Sequence, residues 1–203
     1  MEPRLAPELY PLFLRLEGRE VVVVGAGVVA ERKVDELLLA GAIVRVIAPD
    51  VTPTLGQLVA LGRVHWEPRS FQAGDTKGAW LVIAATGDRA INAKVAEEAH
   101  AHRIFVNAVD DPPNASAFFA SILRRHPFTI AISSSGELPG VSRLLREVLE
   151  AALPDASFIE RARALRRKWK AEQTPHASRF EELVQAALSP RTAPEPETPP
   201  RPQ

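Results

Sequence analysis

A glycine-rich stretch follows four consecutive valines near the start of the chain. Gly25, Gly27 and Ala30 stand between those valines and an apolar-periodic segment, which gives the order strand, turn and helix. In a G-x-G-x-x-A pattern the first glycine permits a tight turn, and the second lets a pyrophosphate approach the backbone. The alanine lets the helix pack on the strand, and the free N–H groups at the helix start would face the phosphates. The stretch indicates a dinucleotide-binding turn, although a plain β-turn-α connection has the same spacing.

An acidic residue supports the dinucleotide interpretation. Asp50 ends the second predicted strand, which is where a carboxylate binds the ribose hydroxyls of the adenosine half. A carboxylate at that place favours NAD over NADP, because it would repel the 2′-phosphate of NADP. We therefore favour dinucleotide binding over the plain β-turn-α connection.

The usual polar catalysts of hydride transfer are absent or badly placed. The single tyrosine, Tyr10, precedes the first strand and has no lysine four residues further on, which tyrosine-dependent reductases need. Zinc dehydrogenases commonly use a cysteine ligand, and the chain has no cysteine. Each of the five histidines fits a surface position or a hydrogen-bonded one better than a catalytic one. Carboxylates therefore remain as candidates.

The fifth predicted strand ends in two carboxylates. In an open parallel sheet the carboxyl ends of the strands border the ligand crevice. Asp110 is therefore placed to face a nicotinamide and its substrate. The alternative is a loop carboxylate that caps Asp111-Pro112-Pro113, and position alone favours neither interpretation.

Polar and basic residues in the second half could meet an anionic ligand. Ser133-Ser134-Ser135-Gly136 follows a strand, and serine is a common helix N-cap, so a cap and turn is the simpler interpretation. The alternative is a polar shelf that donates hydrogen bonds to an anion at the start of the next helix. Arg124-Arg125-His126 and the pair Arg143 and Arg146 fit a solvated face, or recognition of a substrate rich in carboxylates.

The bulk composition narrows the class of protein. The 203 residues include 25 basic and 25 acidic ones and no cysteine. Balanced charge argues against a dedicated nucleic-acid binder. The lack of cysteine excludes disulfides, thiolate zinc sites and a cysteine nucleophile, and it fits a reducing compartment such as the cytoplasm. We predict no membrane span and no secretory signal, because no apolar run has the necessary length or flanks.

The elements that position these residues alternate between strands and helices in the first half. Leu37, Leu38 and Leu39 are predicted to supply the buried side of the first helix, and Gly41 to end it in a left-handed cap. Short alternating elements predict right-handed crossovers and a parallel sheet, that is, a Rossmann-type α/β fold. Strands are predicted at 21–24, 43–48, 64–67, 80–85 and 104–109, and helices at 28–40, 53–61 and, capped by Asp88, 89–102.

The second half follows a different pattern. Residues 117–123 are apolar and fit either strand or helix, and 128–132 are typical of a strand. Three helices are predicted, at 141–153, about 156–172 and about 177–188. The first of them is amphipathic, with Leu144, Leu145, Val148, Leu149 and Leu153 on its apolar side. From Ser189 onward the chain is rich in proline and is predicted to be disordered.

Seven separated segments together resemble one protein family. Their order and spacing match the precorrin-2 dehydrogenases of siroheme synthesis, some of which are also sirohydrochlorin ferrochelatases. The glycine motif alone would not single out this family, but its combination with A-E-R-K, N-x-V-D-D-P and I-S-S-x-G is specific. The segments lie at 10–14, 24–33, 46–50, 84–88, 107–112, 132–136 and 143–147.

The resemblance implies a reaction and a set of site residues. Precorrin-2 would lose two hydrogens, one as hydride to NAD, to give sirohydrochlorin, with Asp110 as the key catalytic residue. We predict no metal site, and Fe²⁺ would be a substrate only if the protein is also a chelatase. The predicted cofactor contacts are Gly25, Ala26, Gly27, Val28, Val29, Pro49, Asp50 and Thr86. The predicted substrate contacts are Asn107, Ser134 and Arg146.

The resemblance also implies how the chain is organised. We predict an NAD-binding Rossmann domain at 1–113, a dimerisation and substrate segment at 114–153, a small helical region at 154–188 and the proline-rich tail at 189–203. The protein is then expected to be a cytoplasmic homodimer that binds a tetrapyrrole and neither nucleic acid nor membrane. One departure from the family is Glu137, which stands where the family usually has Gly-Gly after the serine cluster.

A regulatory module is the alternative from another class of protein. Non-enzymatic NAD-sensing Rossmann domains, such as those attached to ion transporters, would explain the glycine motif and Asp50. They would not explain the N-x-V-D-D-P and serine segments or the C-terminal helices. The sequence therefore favours the enzyme.

Overall fold

The computed structural model describes residues 8–153 and 156–188 of the chain. These residues form two compact units, one that ends at Arg143 and one that begins at Leu144. No helix in the described ranges is long and apolar enough to cross a lipid bilayer.

A five-stranded parallel sheet forms the centre of the first unit. Its strands are β1 (Glu20–Val24), β2 (Ile43–Ile47), β3 (Val64–Glu67), β4 (Leu81–Ala84) and β5 (Phe105–Ala108), in the spatial order β3-β2-β1-β4-β5. The carboxyl ends of the strands are aligned, because Val24 pairs with Ile47 and with Ala84, and Ala84 pairs with Ala108. The predicted Rossmann-type α/β fold is confirmed, and the residues that follow these ends lie along one edge of the sheet.

Three helices pack on the two faces of this sheet. They are α1 (Val28–Leu39), α2 (Pro53–Ala60) and α3 (Arg89–Ala101). Successive side chains of a strand point to opposite faces. The valines at 21 and 23 therefore join a core with α1 and α2, whereas those at 22 and 24 join a core with α3. Burial on both faces explains why the run is uniformly apolar and β-branched.

The ends of the helices follow the predicted capping residues. The Asp88 carboxylate accepts hydrogen bonds from the backbone N–H groups of Ala90 and Ile91, and α3 begins at the next residue. Gly41 has φ +75° just after α1, as a left-handed cap requires. The prediction for Leu39 was wrong, since its side chain is 77% exposed while Leu37 is buried. Two residues along a helix turn a side chain through about 200°, away from the core.

A polar network takes the place of a helix between β3 and β4, in a stretch that is described throughout. The Arg45 guanidinium contacts Glu20 and Glu67, each at 3.1 Å, and donates to the backbone carbonyl of Asp75 at 2.7 Å. Arg69 forms a two-pronged contact with the Asp75 carboxylate, at 2.7 and 2.8 Å, and pairs with Glu67. The network ties the loop to the sheet, and the Arg69 guanidinium holds the pKa of the Asp75 carboxyl below its ordinary value.

The first unit continues with a β-hairpin. A short 3₁₀ turn at Pro112–Asn114 precedes the antiparallel strands β6 (Ser121–Arg125) and β7 (Phe128–Ile132). The ambiguous segment 117–123 contains no helix, and its last three residues pair with β7 as part of β6. Helix α4 (Pro139–Ala152) runs across the boundary between the units. It begins two residues earlier than predicted, since proline suits the first turn of a helix.

Two helices make up most of the described part of the second unit. They are α5 (Ala156–Glu172) and α6 (His176–Leu188), close to the predicted bounds. The Trp169 indole is buried and donates to Glu182 at 3.1 Å, and the Arg161 guanidinium donates to the backbone carbonyl of Ala186 at 3.1 Å. The predicted domain limits at 113 and 153 stay predictions, and the predicted disorder of 189–203 lies outside the described residues.

Candidate active site

The two glycines of the motif stand at their positions for different structural reasons. Gly25 has φ +105°, and a Cβ built on it would lie 2.4 Å from the backbone oxygen of Ala85. Gly27 has an ordinary φ of −78°, and a Cβ on it would meet nothing within 4 Å. The first glycine is therefore required by the turn and by the neighbouring chain. The second leaves open space in front of the backbone, as the pyrophosphate of a dinucleotide needs.

The start of α1 is open to a ligand. Gly27 is the N-cap and supplies no side-chain hydrogen bond to the first turn. Val28 and Val29 follow with side chains that are 61% and 47% exposed. The helix dipole and the first N–H groups therefore face this opening and favour an anion.

A cavity of about 340 Å³ lies along the carboxyl edge of the sheet. It is lined by six of the eight predicted cofactor contacts, namely Gly25, Ala26, Gly27, Pro49, Asp50 and Thr86. Ser70, Phe71 and Ile91 also line it, and the sequence did not single them out. A lining that combines a carboxylate, an open glycine turn and apolar side chains fits an adenine dinucleotide.

The wall that carries Thr86 is braced from α3. The backbone N–H and the hydroxyl of Thr86 both donate to the amide oxygen of Asn92, at 3.0 and 2.7 Å. The Asn92 amide donates back to the Thr86 carbonyl at 3.0 Å, and its side chain is buried. Thr86 thus lines the cavity with its hydroxyl already engaged. A polar residue among the apolar positions of a predicted helix was the signal that could have identified Asn92.

Asp110 lies on the neighbouring loop in a rare backbone conformation. The backbone N–H of Val109 donates to the Ala84 carbonyl at 3.0 Å, which holds the end of β5 beside the end of β4. Asp110 follows with φ +55° and an exposed side chain. A non-glycine residue in the left-handed region is uncommon, and aspartate is among the residues that adopt it most often. Arg89 reaches the same loop and donates to the Asp110 carbonyl at 3.4 Å.

The predicted substrate contacts of the first unit have local hydrogen-bond partners. The Asn107 side chain is buried and donates to the backbone carbonyl of Ala117 at 2.9 Å. The Ser134 hydroxyl accepts from the backbone N–H of Leu138 at 3.0 Å, as a turn before a helix requires. Their roles toward a substrate stay predictions.

The third predicted substrate contact, Arg146, belongs to the second unit. Its guanidinium pairs with Glu150 at 2.9 Å and with Glu147 at 3.4 Å along α4. Because such pairs at a helix surface are weak, they leave the guanidinium able to exchange partners. Its role toward a substrate also stays a prediction.

The A-E-R-K segment has contacts that sequence reasoning did not anticipate. Lys33 lies 3.7 Å from the centre of the Phe119 ring, and burial lowers the pKa of its ammonium group. This contact joins α1 to the segment that leads from β5 to β6. The residues described contain no group of three or more histidine, aspartate or glutamate side chains that could hold a metal ion.

Residues 12–121 match the model of a family described as NAD(P)-binding, and they make up more than half of the chain. The chain belongs to this NAD(P)-binding family. The match covers the whole five-stranded sheet, and so the open glycine turn and the cavity beside it lie in the part that defines the family.

Siroheme synthases are among the relatives of this NAD(P)-binding protein. It is 49% identical over 144 residues to "Siroheme synthase 1" of Serratia proteamaculans, which covers 71% of the chain and 30% of the relative. It is 48% identical over 144 residues to "Siroheme synthase 3" of Aeromonas hydrophila, which covers 71% of the chain and 31% of the relative. The chain thus spans about a third of the length of the curated relatives it matches.

A solved structure shares the fold. The structure of SirC, a precorrin-2 dehydrogenase, superposes with a TM-score of 0.70 and covers 89% of this chain and 90% of that one. The two sequences are 24% identical. The similarity therefore extends over nearly all of both chains at the level of the fold.

Proposed function

We propose that this chain oxidises precorrin-2 to sirohydrochlorin with NAD as the hydride acceptor. The observation that carries the proposal is the position of Asp110 beside the cofactor cavity. β5 is the neighbour of β4 in the sheet, and the loop after β4 lines that cavity. A carboxylate with a positive φ thus follows the strand next to the cavity, which supports a role for Asp110 toward a substrate at the carboxyl ends of the strands. The names of the relatives and of the solved structure support the same reaction.

The residues of the cavity fit NAD bound in one orientation. The N–H groups that follow Gly27 would bind the pyrophosphate, and Asp50 would bind the ribose hydroxyls of the adenosine half. Ala26, Val28, Val29, Pro49 and Thr86 would contact the same cofactor. Asp50 would also disfavour NADP through repulsion of its 2′-phosphate. When bound, NAD would accept the hydride from the reduced macrocycle.

Asp110 would handle the proton that accompanies this oxidation. Loss of two hydrogens from precorrin-2 needs one hydride acceptor and one proton acceptor, and an exposed carboxylate can orient the macrocycle or take the proton. Asn107 and Ser134 would supply hydrogen bonds to the substrate, and Arg146 would meet one of its carboxylates. The chemistry needs neither cysteine nor a resident metal.

We also propose that the protein is a cytoplasmic homodimer. Leu144, Leu145, Val148 and Leu149 form a stripe on α4 at the spacing of one helix face, and their side chains are 36% to 58% exposed. A stripe of large apolar side chains on one face fits a surface that a second copy covers. The segment 114–153 predicted for dimerisation contains this stripe.

One experiment separates the enzyme from a regulatory NAD-binding module. Purified full-length chain is incubated anaerobically with precorrin-2 and NAD, and the absorbance of NADH and of sirohydrochlorin is followed together. Equal amounts of both products would support the dehydrogenase, whereas NAD binding without consumption of precorrin-2 would favour the module. Ferrous iron added after the oxidation tests whether the protein also accelerates the metallation of sirohydrochlorin.

A further inference from the structure

A short hydrogen bond joins the cofactor-binding helix to the loop that carries Asp50. The hydroxyl of Thr52 donates to the carboxylate of Glu31 at 2.6 Å, and both side chains are half-buried. Glu31 lies in the first turn of α1, one residue after the alanine that ends the glycine motif. Thr52 is the N-cap of α2, two residues after Asp50. The bond thus connects the segments that follow two separate parts of the cavity wall, the glycine turn and Asp50.

Further contacts hold the same loop at both of its ends. The backbone N–H of Thr52 donates to the carbonyl of Ala26, within the glycine turn, at 3.3 Å. On the other side the Trp66 indole donates to the carbonyl of Ala48 at 2.9 Å. Residues 49–51 therefore lie between two anchored points, and Asp50 is at their centre. The Asp50 side chain is exposed, so its position follows that of the loop. The distance of the loop from the glycine turn is set by these anchors.

We propose that Glu31 and Thr52 are positioning residues for the cofactor. Their hydrogen bond keeps the Asp50 carboxylate at the separation from the Gly27 backbone that one dinucleotide spans. The inference rests on the proposed binding of NAD in this cavity. It assigns to the glutamate of the A-E-R-K segment a role that neither the glycine motif nor Asp110 explains.

The charge of Glu31 argues for this role. A carboxylate in the first turn of α1 lies at the end of the helix that would receive the pyrophosphate, and two negative charges repel each other. Removal of that charge alone should therefore tighten binding of NAD. Weaker binding after removal of the side chain would have to come from loss of the hydrogen bond to Thr52.

The test uses variants of the full chain that separate charge from hydrogen bonding. Glu31→Ala removes both, whereas Glu31→Gln keeps an amide oxygen that accepts from Thr52. Thr52→Ser keeps the donor, and it also keeps the cap that accepts from the backbone N–H of Leu55. Asp35→Ala is the matched control, since it removes an exposed carboxylate from the same helix. The Kd for NAD is measured by fluorescence titration, and the folded state of each variant is checked by its Tm.

We expect Glu31→Ala to raise the Kd for NAD about tenfold, as loss of one hydrogen bond would. Three variants should bind NAD with a Kd no more than about twofold above that of the parent. They are Glu31→Gln, Thr52→Ser and Asp35→Ala. In turnover the Glu31→Ala variant should show a raised KM for NAD and an unchanged kcat, because only cofactor positioning is affected.

Two results would overturn the assignment. If Glu31→Ala binds NAD as the parent does, the hydrogen bond does not position the cofactor. If Glu31→Gln binds as weakly as Glu31→Ala, an acceptor for the Thr52 hydroxyl does not restore binding, and the hydrogen bond does not position the cofactor. A parent chain that binds no NAD would refute the proposed cofactor site itself, which is a different outcome from either of these.

Discussion

Gly25 and Ala85 approach each other so closely that a Cβ on Gly25 would lie 2.4 Å from the Ala85 backbone oxygen. The contact exists because β1 and β4 are neighbours, and both chains turn at the same edge of the sheet. Gly27, two residues on, faces empty space instead. The fold thus requires a glycine at position 25, whereas Gly27 leaves room for the ligand that we propose, although the two glycines are equivalent in the motif.

The two glycines should respond differently to the same substitution. Gly27→Ala should keep the Tm of the parent but raise the Kd for NAD by about tenfold or more, because the new methyl group occupies the place of the pyrophosphate. Gly25→Ala should lower the free energy of unfolding by about 3 kcal/mol or more, through a positive φ and a backbone clash. Thermal unfolding and NAD titration of both variants check this. Normal NAD binding by Gly27→Ala would contradict the cofactor site.

Substitution of Asp110 should separate catalysis from folding. Asn tolerates the left-handed conformation that Asp110 adopts at φ +55°, so Asp110→Asn should leave the free energy of unfolding within about 0.5 kcal/mol. It removes the carboxylate, and we expect kcat for precorrin-2 oxidation to fall by about 100-fold or more. The Kd for NAD should not change. Asp111→Asn is the neighbouring control, and near-normal turnover by Asp110→Asn would refute the assigned role.

The preference for NAD should depend on Asp50. Asp50→Asn keeps a group that can bond a ribose hydroxyl but removes the charge that repels a 2′-phosphate. We expect the ratio of the Kd for NADP to the Kd for NAD to fall about tenfold, mainly through tighter binding of NADP. Parallel titrations of parent and variant with both cofactors measure the ratio. A parent that binds NADP more tightly than NAD would contradict the prediction.

The ion pair between Arg69 and Asp75 should make stability depend on pH. The guanidinium lowers the pKa of Asp75 below the ordinary 3.8, so the unfolded chain takes up the proton more readily than the folded one. The stabilisation is full above the unfolded pKa and is lost as the pH falls through the lower folded value. Urea unfolding at a series of pH values should therefore show a shallower acid-side loss for Asp75→Asn. An unchanged slope would mean that the network on the sheet does not hold the loop.

The apolar stripe of α4 should control the oligomeric state. Val148 is 57% exposed at the middle of the stripe, and Val148→Glu places a charge where a second copy would pack. We expect sedimentation velocity to show a dimer for the parent and a monomer for Val148→Glu at the same concentration. Glu147→Gln, outside the stripe, should leave the dimer intact. A parent that sediments as a monomer would refute the proposed homodimer.

Much of the first unit could be predicted because its signals are local. A run of β-branched residues, a glycine turn and an aspartate cap each act over a few residues, and all of the strands and helices predicted at 21–109 are present. Prediction failed where a distant partner decides the outcome. The segment 117–123 could be a strand or a helix until β7 paired with its second half, and Leu39 could be counted as buried until the rotation of the helix was known.

The residues of the candidate site also fall into those that local sequence could identify and those that a distant partner decides. Types and spacing were sufficient to predict that the glycine turn and Asp50 lie near each other, since backbone freedom and charge at the end of a strand are legible in one segment at a time. Position alone left the role of Asp110 open. Ser70 and Phe71 could not be assigned to the cavity, and neither the bracing of Thr86 by Asn92 nor the bond from Thr52 to Glu31 could be foreseen.

The sequence by itself determined the order of the elements and the chemical groups available to them. Only the tertiary structure decided which groups meet, because the parallel sheet aligns the ends of strands that are far apart in the chain and brings their loops to one edge. Hydrogen bonds and close contacts act over a few ångströms in space, whatever the separation along the chain. For that reason Gly25 must be a glycine beside Ala85, and Thr52, two residues after Asp50, donates a hydrogen bond to Glu31.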